Sequence, residues 1–227
     1  ATTVTLTASA ASVAEGASVT YTATVANAVT GTPLVVTLDN GSTITIAVGQ
    51  TTANSAAVIV RADDVYNQGT TNVVRSITGT TGGNYEALTT TSTVSTTVTE
   101  DADATTVTLS SATAGSNVTE GGSIVYTATV SSAVTGTPLL VTLSNGQTIS
   151  IPVGQTTANS AAFAVRADNV YTDANQNLSV SISGTPTGGN YEALTTTGTI
   201  TNTVVDDADA TTVTLTASAA SVAEGAS

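Results

Sequence analysis

The residues of this 227-residue chain that could do chemistry are carboxylates. The sequence holds 16 Asp and Glu against three Arg, with no Lys and no His, for a formal net charge of −13. Two Asp-x-Asp steps, Asp101 with Asp103 and Asp207 with Asp209, would point both carboxylates the same way in an extended chain. Crowded carboxylates repel one another unless a cation lies between them, and calcium takes about six to eight oxygen ligands. The sequence therefore favours calcium binding.

Other chemistry is excluded by what the chain lacks. Without His and Cys there is no Ser-His-Asp or Cys-His nucleophile and almost no site for zinc, haem or iron–sulfur clusters. The strongly negative charge argues against binding to nucleic acid or to an anionic membrane. No apolar run approaches the length of about 18 residues that a transmembrane helix needs, and no signal peptide is visible. We expect no enzymatic activity.

A repeat of 105 to 106 residues organises the chain. The motif ATTVTL occurs at Ala1, Ala104 and Ala210, and GGNYEALTTT occurs at 82–91 and 188–197. Residues 210–227 are identical to residues 1–18. A unit of this length can bury a core of its own. We predict three parts, namely repeat 1 over 1–103, repeat 2 over 104–209, and the first strand of a truncated third repeat over 210–227.

The repeats predict β-strands, because apolar residues and Thr alternate with a period of two. One predicted strand turns Val19, Tyr21, Ala23 and Val25 inward and the intervening Thr outward, and another turns Ile44, Ile46 and Val48 inward. Turn signals such as Asn40-Gly41 separate seven strands, expected over 2–8, 17–26, 34–38, 43–48, 56–61, 72–78 and 87–99. Seven short strands in about 100 residues indicate an all-β protein of tandem immunoglobulin-like β-sandwich domains.

The topology of such a sandwich brings most carboxylates to one pole, where alternate loops meet the end of the last strand. We predict calcium ligands there, which in repeat 1 are Glu15, Asp63, Asp64, Glu100, Asp101 and Asp103. In repeat 2 they are Glu120, Asp168, Asp206, Asp207 and Asp209. We expect no Lys or Arg side chain near this pole. We place Glu86 and Glu192 in loops at the opposite pole, which in an array abuts the acidic pole of the preceding domain. The alternative is a solvated acidic linker that keeps the domains soluble and apart.

Two further residues admit two interpretations each. Arg75 is in phase with core positions of its strand, so it either reaches solvent near a sheet edge, which we favour, or pairs with a carboxylate. Tyr66 is a tyrosine corner or an ordinary loop anchor, and the sequence does not separate the two.

The loops VAEGAS and TEGGS, the loops RADDVY and RADNVY, and the junction DADATTVTL carry a family resemblance. The chain resembles the extender repeats of giant biofilm adhesins secreted by type I systems, the family of large adhesion proteins and marine ice-adhesion proteins. The resemblance implies immunoglobulin-like domains in tandem, stiffened by calcium at their linkers, that project an adhesive tip from a Gram-negative cell. It assigns calcium ligands at the junctions and the Glu-Gly loops, namely Asp101, Asp103, Asp207, Asp209, Glu15 and Glu120.

We therefore expect an extracellular, non-enzymatic spacer of a bacterial cell-surface adhesin for biofilm or surface attachment, whose partners are neighbouring repeats of the same chain. Two other functions stay open. One is a module whose loops bind glycan or protein. The other is a subunit of an extracellular filament, in which residues 210–227 complete a sheet of a neighbouring molecule; in a monomer we expect them to be disordered.

Overall fold

The computed structural model describes residues 1–225, which divide into two units. Unit 1 comprises residues 1–105 together with 189–195, and unit 2 comprises residues 106–188 together with the chain from 196 onward. The regular secondary structure of the described residues is all β-strand, which confirms the predicted all-β class. The immunoglobulin-like assignment stays a prediction. Within residues 1–225 no helix could cross a membrane.

The strands of the first repeat are short and follow the alternation of the sequence. They are β1 (Thr2–Ala8), β2 (Ser12–Ala14), β3 (Ser18–Val19), β4 (Tyr21–Val25), β5 (Leu34–Leu38), β6 (Thr43–Ile46), β7 (Thr52–Asn54), β8 (Val58–Ile59), β9 (Thr71–Thr81), β10 (Leu88–Thr89) and β11 (Thr93–Thr99).

These strands form two principal sheets with the orders β10-β1-β4-β7 and β2-β11-β9-β5-β6, and β3 pairs with β8. The chain changes sheets soon after β1, since β1 is antiparallel to β4 whereas β2 is parallel to β11. Small residues fill the crossing between β1 and β2, residues 9–11, so the backbone can bend there. Both sheets therefore hold part of the N-terminal segment, and the turn after β2 lies beside the end of β11.

The inward residues of the two sheets make the core of unit 1. Val19, Tyr21, Ala23 and Val25 are buried as the alternation predicts, while the neighbouring Thr24 is exposed. Burying one such large aliphatic or aromatic side chain contributes about 1.5–3 kcal/mol. The rest of the fully buried core includes Val4, Leu34, Val36, Leu38, Ile44 and Ile46.

Several strand predictions were wrong in detail. Val48 is 50% exposed because β6 ends at Ile46 and the chain turns at Gly49, where φ is +85°. The strand predicted over 17–26 is split at Thr20, whose amide donates to Ser9 Oγ at 3.0 Å. The Ser9 hydroxyl accepts the hydrogen bond that a backbone carbonyl of a neighbouring strand would otherwise accept. The chain changes partners at this point, because β3 pairs with β8 and β4 pairs with β1.

Short polar strands were also missed. Neither β2 nor β7 was predicted, because three small or polar residues carry no readable alternation. Asn40-Gly41 does form a turn between β5 and β6, with φ of +80° at Gly41 alone and Leu38 N donating to Ser42 O at 2.9 Å.

Arg75 fits part of both interpretations. Its strand β9 lies between β11 and β5, but the pairing with β5 begins at Ile77, so Arg75 has a ladder partner on the β11 side alone. Its Nη1 is also 3.6 Å from Asp39 Oδ2, which is the partner carboxylate of the alternative interpretation.

The remaining strands repeat this pattern. They are β12 (Ala104–Ser110), β13 (Asn117–Thr119), β14 (Ser123–Ile124), β15 (Thr127–Val130), β16 (Leu139–Thr142), β17 (Thr148–Ile151), β18 (Thr157–Asn159), β19 (Phe163–Ala164), β20 (Gln176–Ser181), β21 (Ala193–Thr197) and β22 (Thr199–Val205). Their sheets have the orders β18-β15-β12-β21 and β13-β22-β20, and β14 pairs with β19 and β16 with β17.

Residues 210–225 contain no strand, although their sequence is that of residues 1–16. Val213 and Leu215 are 92% and 95% exposed, whereas the equivalent Val4 and Leu6 are buried. The difference lies in pairing, because β1 has the antiparallel partner β4.

Candidate metal centre

The Glu-Gly motif forms the turn between β2 and β3 and fixes Glu15 in place. Glu15 N donates to Thr99 O at 3.0 Å, and Gly16 N donates to Arg61 O at 2.9 Å. Gly16 has a φ of +70°, and a Cβ at this position would lie 2.9 Å from Asp63 Cβ. Glycine is therefore required both by the backbone conformation and by the close approach of Asp63.

Arg61 holds two of the carboxylates together. Its Nε donates to Glu15 Oε2 at 3.1 Å, and its Nη2 donates to Glu100 Oε1 at 2.7 Å. Nη1 donates to the backbone oxygen of Gly69 at 2.9 Å, and this third hydrogen bond fixes the orientation of the guanidinium group. The expectation of an acidic pole without a nearby cation was wrong, since Arg61 lies inside the cluster.

Glu15 is nevertheless left with one unsatisfied oxygen. The residue is 4% exposed, and as long as Glu15 and Glu192 are both ionised, Glu15 Oε1 has no hydrogen-bond partner among the described residues. Oxygens of Glu15, Glu100 and Glu192 lie within 4.8 Å of one another. A hydrogen bond with Glu192, burial and the charge of Glu100 raise the pKa of Glu15 to about 7. A hydrogen bond between two carboxyl groups requires that one of them carries a proton.

Two further groups extend the cluster toward solvent. The first is Glu15, Asp63 and Asp101, and the second is Asp101, Asp103 and Glu192, each with oxygens within 4.8 Å. Asp103 N donates to Glu192 Oε2 at 2.7 Å. Desolvation and the negative charges of Asp103 and Asp101 raise the pKa of Asp63.

The pKa of Glu100 moves the other way. Burial alone would raise it, but the hydrogen bond with Glu192 and the Arg61 guanidinium lower it below the ordinary value of 4.5. Of these two glutamates, Glu15 therefore accepts a proton more readily than Glu100.

Unit 2 builds an equivalent cluster from its own residues. Arg166 Nε is 2.9 Å from Glu120 Oε2 and 3.5 Å from Asp173 Oδ2, and its Nη2 is 3.8 Å from Asp206 Oδ1. The groups Glu120, Asp173, Asp206 and Glu120, Asp168, Asp207 each have oxygens within 4.8 Å. Burial raises the pKa of Glu120 against the opposing effect of Arg166.

The structure brings together most of the predicted ligands, but two stand apart from these groups. Asp64 uses its oxygens inside its own loop, where Oδ1 accepts from Tyr66 N at 2.7 Å and Oδ2 accepts from Gln68 Nε2. Asp209 is outside the tight groups, although desolvation and the charges of Asp168 and Asp207 raise its pKa.

Four participants were not predicted as part of the site. They are Arg61, Arg166, Glu192 and Asp173. The motif VRAD recurs at 60–63 and 165–168, which marks both arginines as part of the repeated unit without indicating their partners. Glu192 was expected in a loop at the opposite pole of its repeat, which in an array abuts the acidic pole of the preceding domain. That expected position was the signal for Glu192.

The donor set suits a hard divalent cation. Every candidate ligand is a carboxylate oxygen, and Glu15 and Glu120 each keep a buried Oε1 without a partner among the described residues. Oxygen-only sets with several carboxylates match calcium rather than zinc or copper.

Comparison with known proteins gives one family. The model of the LapA domain matches residues 1–102 and again 103–208. No curated protein matches the chain. Among solved structures, the chain is similar to the crystal structure of a tetra-tandem repeat in the extending region of a large adhesion protein. The two are 20% identical with a TM-score of 0.41, over 92% of this chain and 50% of that chain. The chain spans half the length of that structure. Through the family match, which covers both repeats, this chain belongs to the LapA domain family.

Proposed function

We propose that this chain is a structural extender segment of a bacterial cell-surface adhesin, and that its carboxylate clusters bind calcium. In this role the repeats carry no catalytic group. They place an adhesive tip away from the cell during attachment to a surface or in a biofilm. The family match over both repeats supports the extender function.

One observation carries the calcium proposal, namely the buried Glu15 Oε1 without a partner among the described residues. A buried carboxylate oxygen that makes no hydrogen bond is costly, and a cation removes that cost. Arg61 does not serve Oε1, because its Nε donates to Oε2, its Nη1 to the Gly69 oxygen and its Nη2 to Glu100. The recurrence of the arrangement at Glu120 and Arg166 supports the same role in unit 2.

Calcium would be held by Glu15, Asp101 and Glu192, with Asp63, Glu100 and Asp103 around them. Binding at Asp101 and Asp103 would restrict the segment that joins the two repeats in sequence. Extracellular calcium modules bind at about 10⁻⁴–10⁻³ M, so the clusters would fill in calcium-rich surroundings and empty in chelator. Magnesium would substitute poorly, since it demands a smaller octahedral shell and keeps its waters.

The test combines calorimetric titration of calcium, thermal melting and small-angle scattering, each with calcium and with chelator. At about 100 times the dissociation constant, calcium should stabilise the protein by about 2.7 kcal/mol, enough to shift melting measurably. We expect a longer and stiffer particle in calcium. The double variant Asp101→Asn/Asp103→Asn should lose much of the response.

Asp39→Asn is the matched control, because Asp39 pairs with Arg75 and takes no part in the cluster groups described here. It should respond to calcium as the unmodified chain does. If the unmodified chain is equally rigid and equally stable in chelator, the clusters are solvated acidic surface and the calcium proposal fails.

A further inference from the structure

In each repeat a strand near the N-terminal end pairs in parallel with the last strand. In unit 1, β2 lies beside β11, with Ser12 opposite Thr97 and Ala14 opposite Thr99. The amide of Glu15 then donates to the backbone oxygen of Thr99 at 3.0 Å, which extends this ladder by one bond. In unit 2, β13 and β22 are paired in the same way. Two strands from opposite ends of a repeat therefore lie side by side and run in the same direction.

This parallel pairing decides how a repeat responds to tension along the chain. Such tension follows from the extender role proposed above, on which the inference rests. Each repeat is then pulled at the N-terminal side of β2 and at the C-terminal side of β11. Because the two strands are parallel, these opposite pulls slide one strand along the other. The ladder hydrogen bonds run from strand to strand, so they are loaded together rather than one after another.

Arg61 connects the C-terminal ends of these two parallel strands. Glu15 directly follows β2, and Glu100 directly follows β11. Arg61 Nε donates to Glu15 Oε2 at 3.1 Å, and Nη2 donates to Glu100 Oε1 at 2.7 Å. We call this bridge the latch of unit 1. Sliding of β2 along β11 would move the two carboxylates apart, so at least one of these hydrogen bonds must break. Charge-assisted hydrogen bonds are about twice as strong as neutral ones, so the latch adds to the resistance of the ladder.

The latch of unit 2 is the corresponding bridge of Arg166 to Glu120 and Asp206, and one of its arms is longer. Arg166 Nε lies 2.9 Å from Glu120 Oε2, but Nη2 lies 3.8 Å from Asp206 Oδ1. This Nη2 has no hydrogen-bond partner among the described residues. Asp206 takes the place of Glu100, and its side chain is one methylene group shorter. In both units this carboxylate also accepts a backbone amide at 3.1 Å, so the difference lies in the arginine.

We propose that the two latches resist the mechanical unfolding of their repeats under tension, and that the latch of unit 1 resists the greater force. Each latch joins two load-bearing strands through one guanidinium group. It needs no metal ion, because the cation is a side chain of the protein, so it also acts where calcium is scarce. Repeats of unequal strength unfold one after the other, and the chain therefore lengthens in steps as tension rises.

Single-molecule force spectroscopy on the whole chain, pulled through its two ends, tests the proposal. The measurement is made in chelator at pH 8, above the pKa of about 7 of Glu15, so that the latch carboxylates are ionised and calcium is absent. The unmodified chain should show two unfolding events at different forces. Arg166→Gln should lower the force of the weaker event and Arg61→Gln that of the stronger event. Each change should speed unfolding of its own unit at constant force about tenfold, because the bridge is intact in the folded state and broken in the transition state.

Exchange of the two carboxylates that follow the last strands is the sharper test, because it keeps their charge. Asp206→Glu supplies the missing methylene group in unit 2, so the two events should become nearly equal at the higher force. Glu100→Asp removes a methylene group in unit 1, so the two events should become nearly equal at the lower force. Both readings hold without knowing which event belongs to which unit. Asp206→Glu is expected to strengthen its unit, so a failure to fold cannot imitate the result.

Ile44→Ala is the matched control for stability. Ile44 is fully buried in β6, which pairs with β5 and has no part in the parallel pair or the latch. The variant should lose stability in urea much as Arg61→Gln does, yet its unfolding forces should change far less. An equal loss of force in both variants would overturn the proposal, because force would then follow overall stability.

Two further results would also overturn it. One is a pair of equal forces in the unmodified chain, and the other is a pair of forces that neither Asp206→Glu nor Glu100→Asp changes. Calcium titration of the same chain separates this proposal from the proposed function. Calcium binding with forces that ignore the exchange contradicts the latches alone. Forces that follow the exchange in a chain that binds no calcium contradict the calcium function alone.

Discussion

Arg61 Nε lies 3.1 Å from Glu15 Oε2, and the same pair recurs in unit 2, where Arg166 Nε lies 2.9 Å from Glu120 Oε2. In both pairs the carboxylate is almost fully buried and its other oxygen is free of protein partners within the described chain. Two of the three cations of the sequence are thus used to hold a buried glutamate at the same turn. In each unit the arginine neutralises part of the negative charge of the acidic cluster. The remaining negative charge is available to a proton or a metal ion.

Arg61→Gln should destabilise unit 1 strongly at pH 8. Removing one partner of a buried ion pair leaves an uncompensated charge, which costs about 3–5 kcal/mol. Arg75→Gln is the control, because its ion pair with Asp39 is longer, at 3.6 Å, and more exposed, and such pairs contribute about 0–1 kcal/mol. Urea unfolding followed by circular dichroism measures both. Equal losses for the two variants would contradict the special role of Arg61.

Stability without calcium should depend on pH with a definite sign. The pKa of Glu15 is about 7 in the folded protein against an ordinary 4.5, so the folded state holds the proton more tightly than the unfolded state. The stabilisation from this proton is complete below about pH 4.5 and is lost as the pH rises through about 7. The melting temperature in chelator should therefore fall between pH 5 and pH 8.

Glu15→Gln should flatten this pH dependence, because the amide does not titrate. Calcium should restore stability most at the high end of the range, where it no longer competes with the proton. Scanning calorimetry at several pH values gives both trends. A melting temperature that rises from pH 5 to pH 8 in chelator would show that Glu15 does not dominate.

The acidic residues of the site could be predicted from the sequence, whereas the arginine that binds them could not. Glu15, Asp63 and Asp101 were predictable because acidic loops at one pole of a sandwich must converge. Arg61 was missed because its partners are 46 and 39 residues away, and its own neighbours in sequence say nothing about them. Long-range ion pairs have no local pattern.

The strands also differ in how well the sequence predicts them. The alternation from Val19 to Val25 predicted the buried residues of β3 and β4 correctly, since burial on one face has a period of two. The short strands β2 and β7 depend on partners rather than on their own residues, so the sequence carried no signal for them.

Gly16→Ala should cost more than Gly41→Ala. Both glycines have positive φ, of +70° and +80°, and a side chain in that region costs about 1–2 kcal/mol. Only at Gly16 would the new Cβ also meet an atom, Asp63 Cβ at 2.9 Å, whereas nothing lies within 4 Å of a Cβ at Gly41. Denaturation midpoints of the two variants provide the measurement. Gly16→Ala should also weaken calcium binding, and a pair of equal midpoints would contradict the close packing of Asp63.

Residues 2–8 and 211–217 share one sequence but should differ in amide exchange. The first set is paired in β1 and should be protected, while the second is unpaired and should exchange at rates near those of an unfolded chain. Exchange must be followed by nuclear magnetic resonance, because identical peptides have identical masses. Strong protection of 211–217 in a proven monomer would contradict the prediction.

The scarcity of cations has a consequence for proteolysis. A trypsin-like protease cuts after Lys or Arg, and this chain offers it three bonds, those after Arg61, Arg75 and Arg166. Each of these side chains is at most 20% exposed and is held in an ion pair. The protease must draw the arginine into its specificity pocket, so it can cut only after local opening breaks that pair. A surface built from Thr, Ser and Ala therefore gives digestive enzymes of this specificity almost no place to begin.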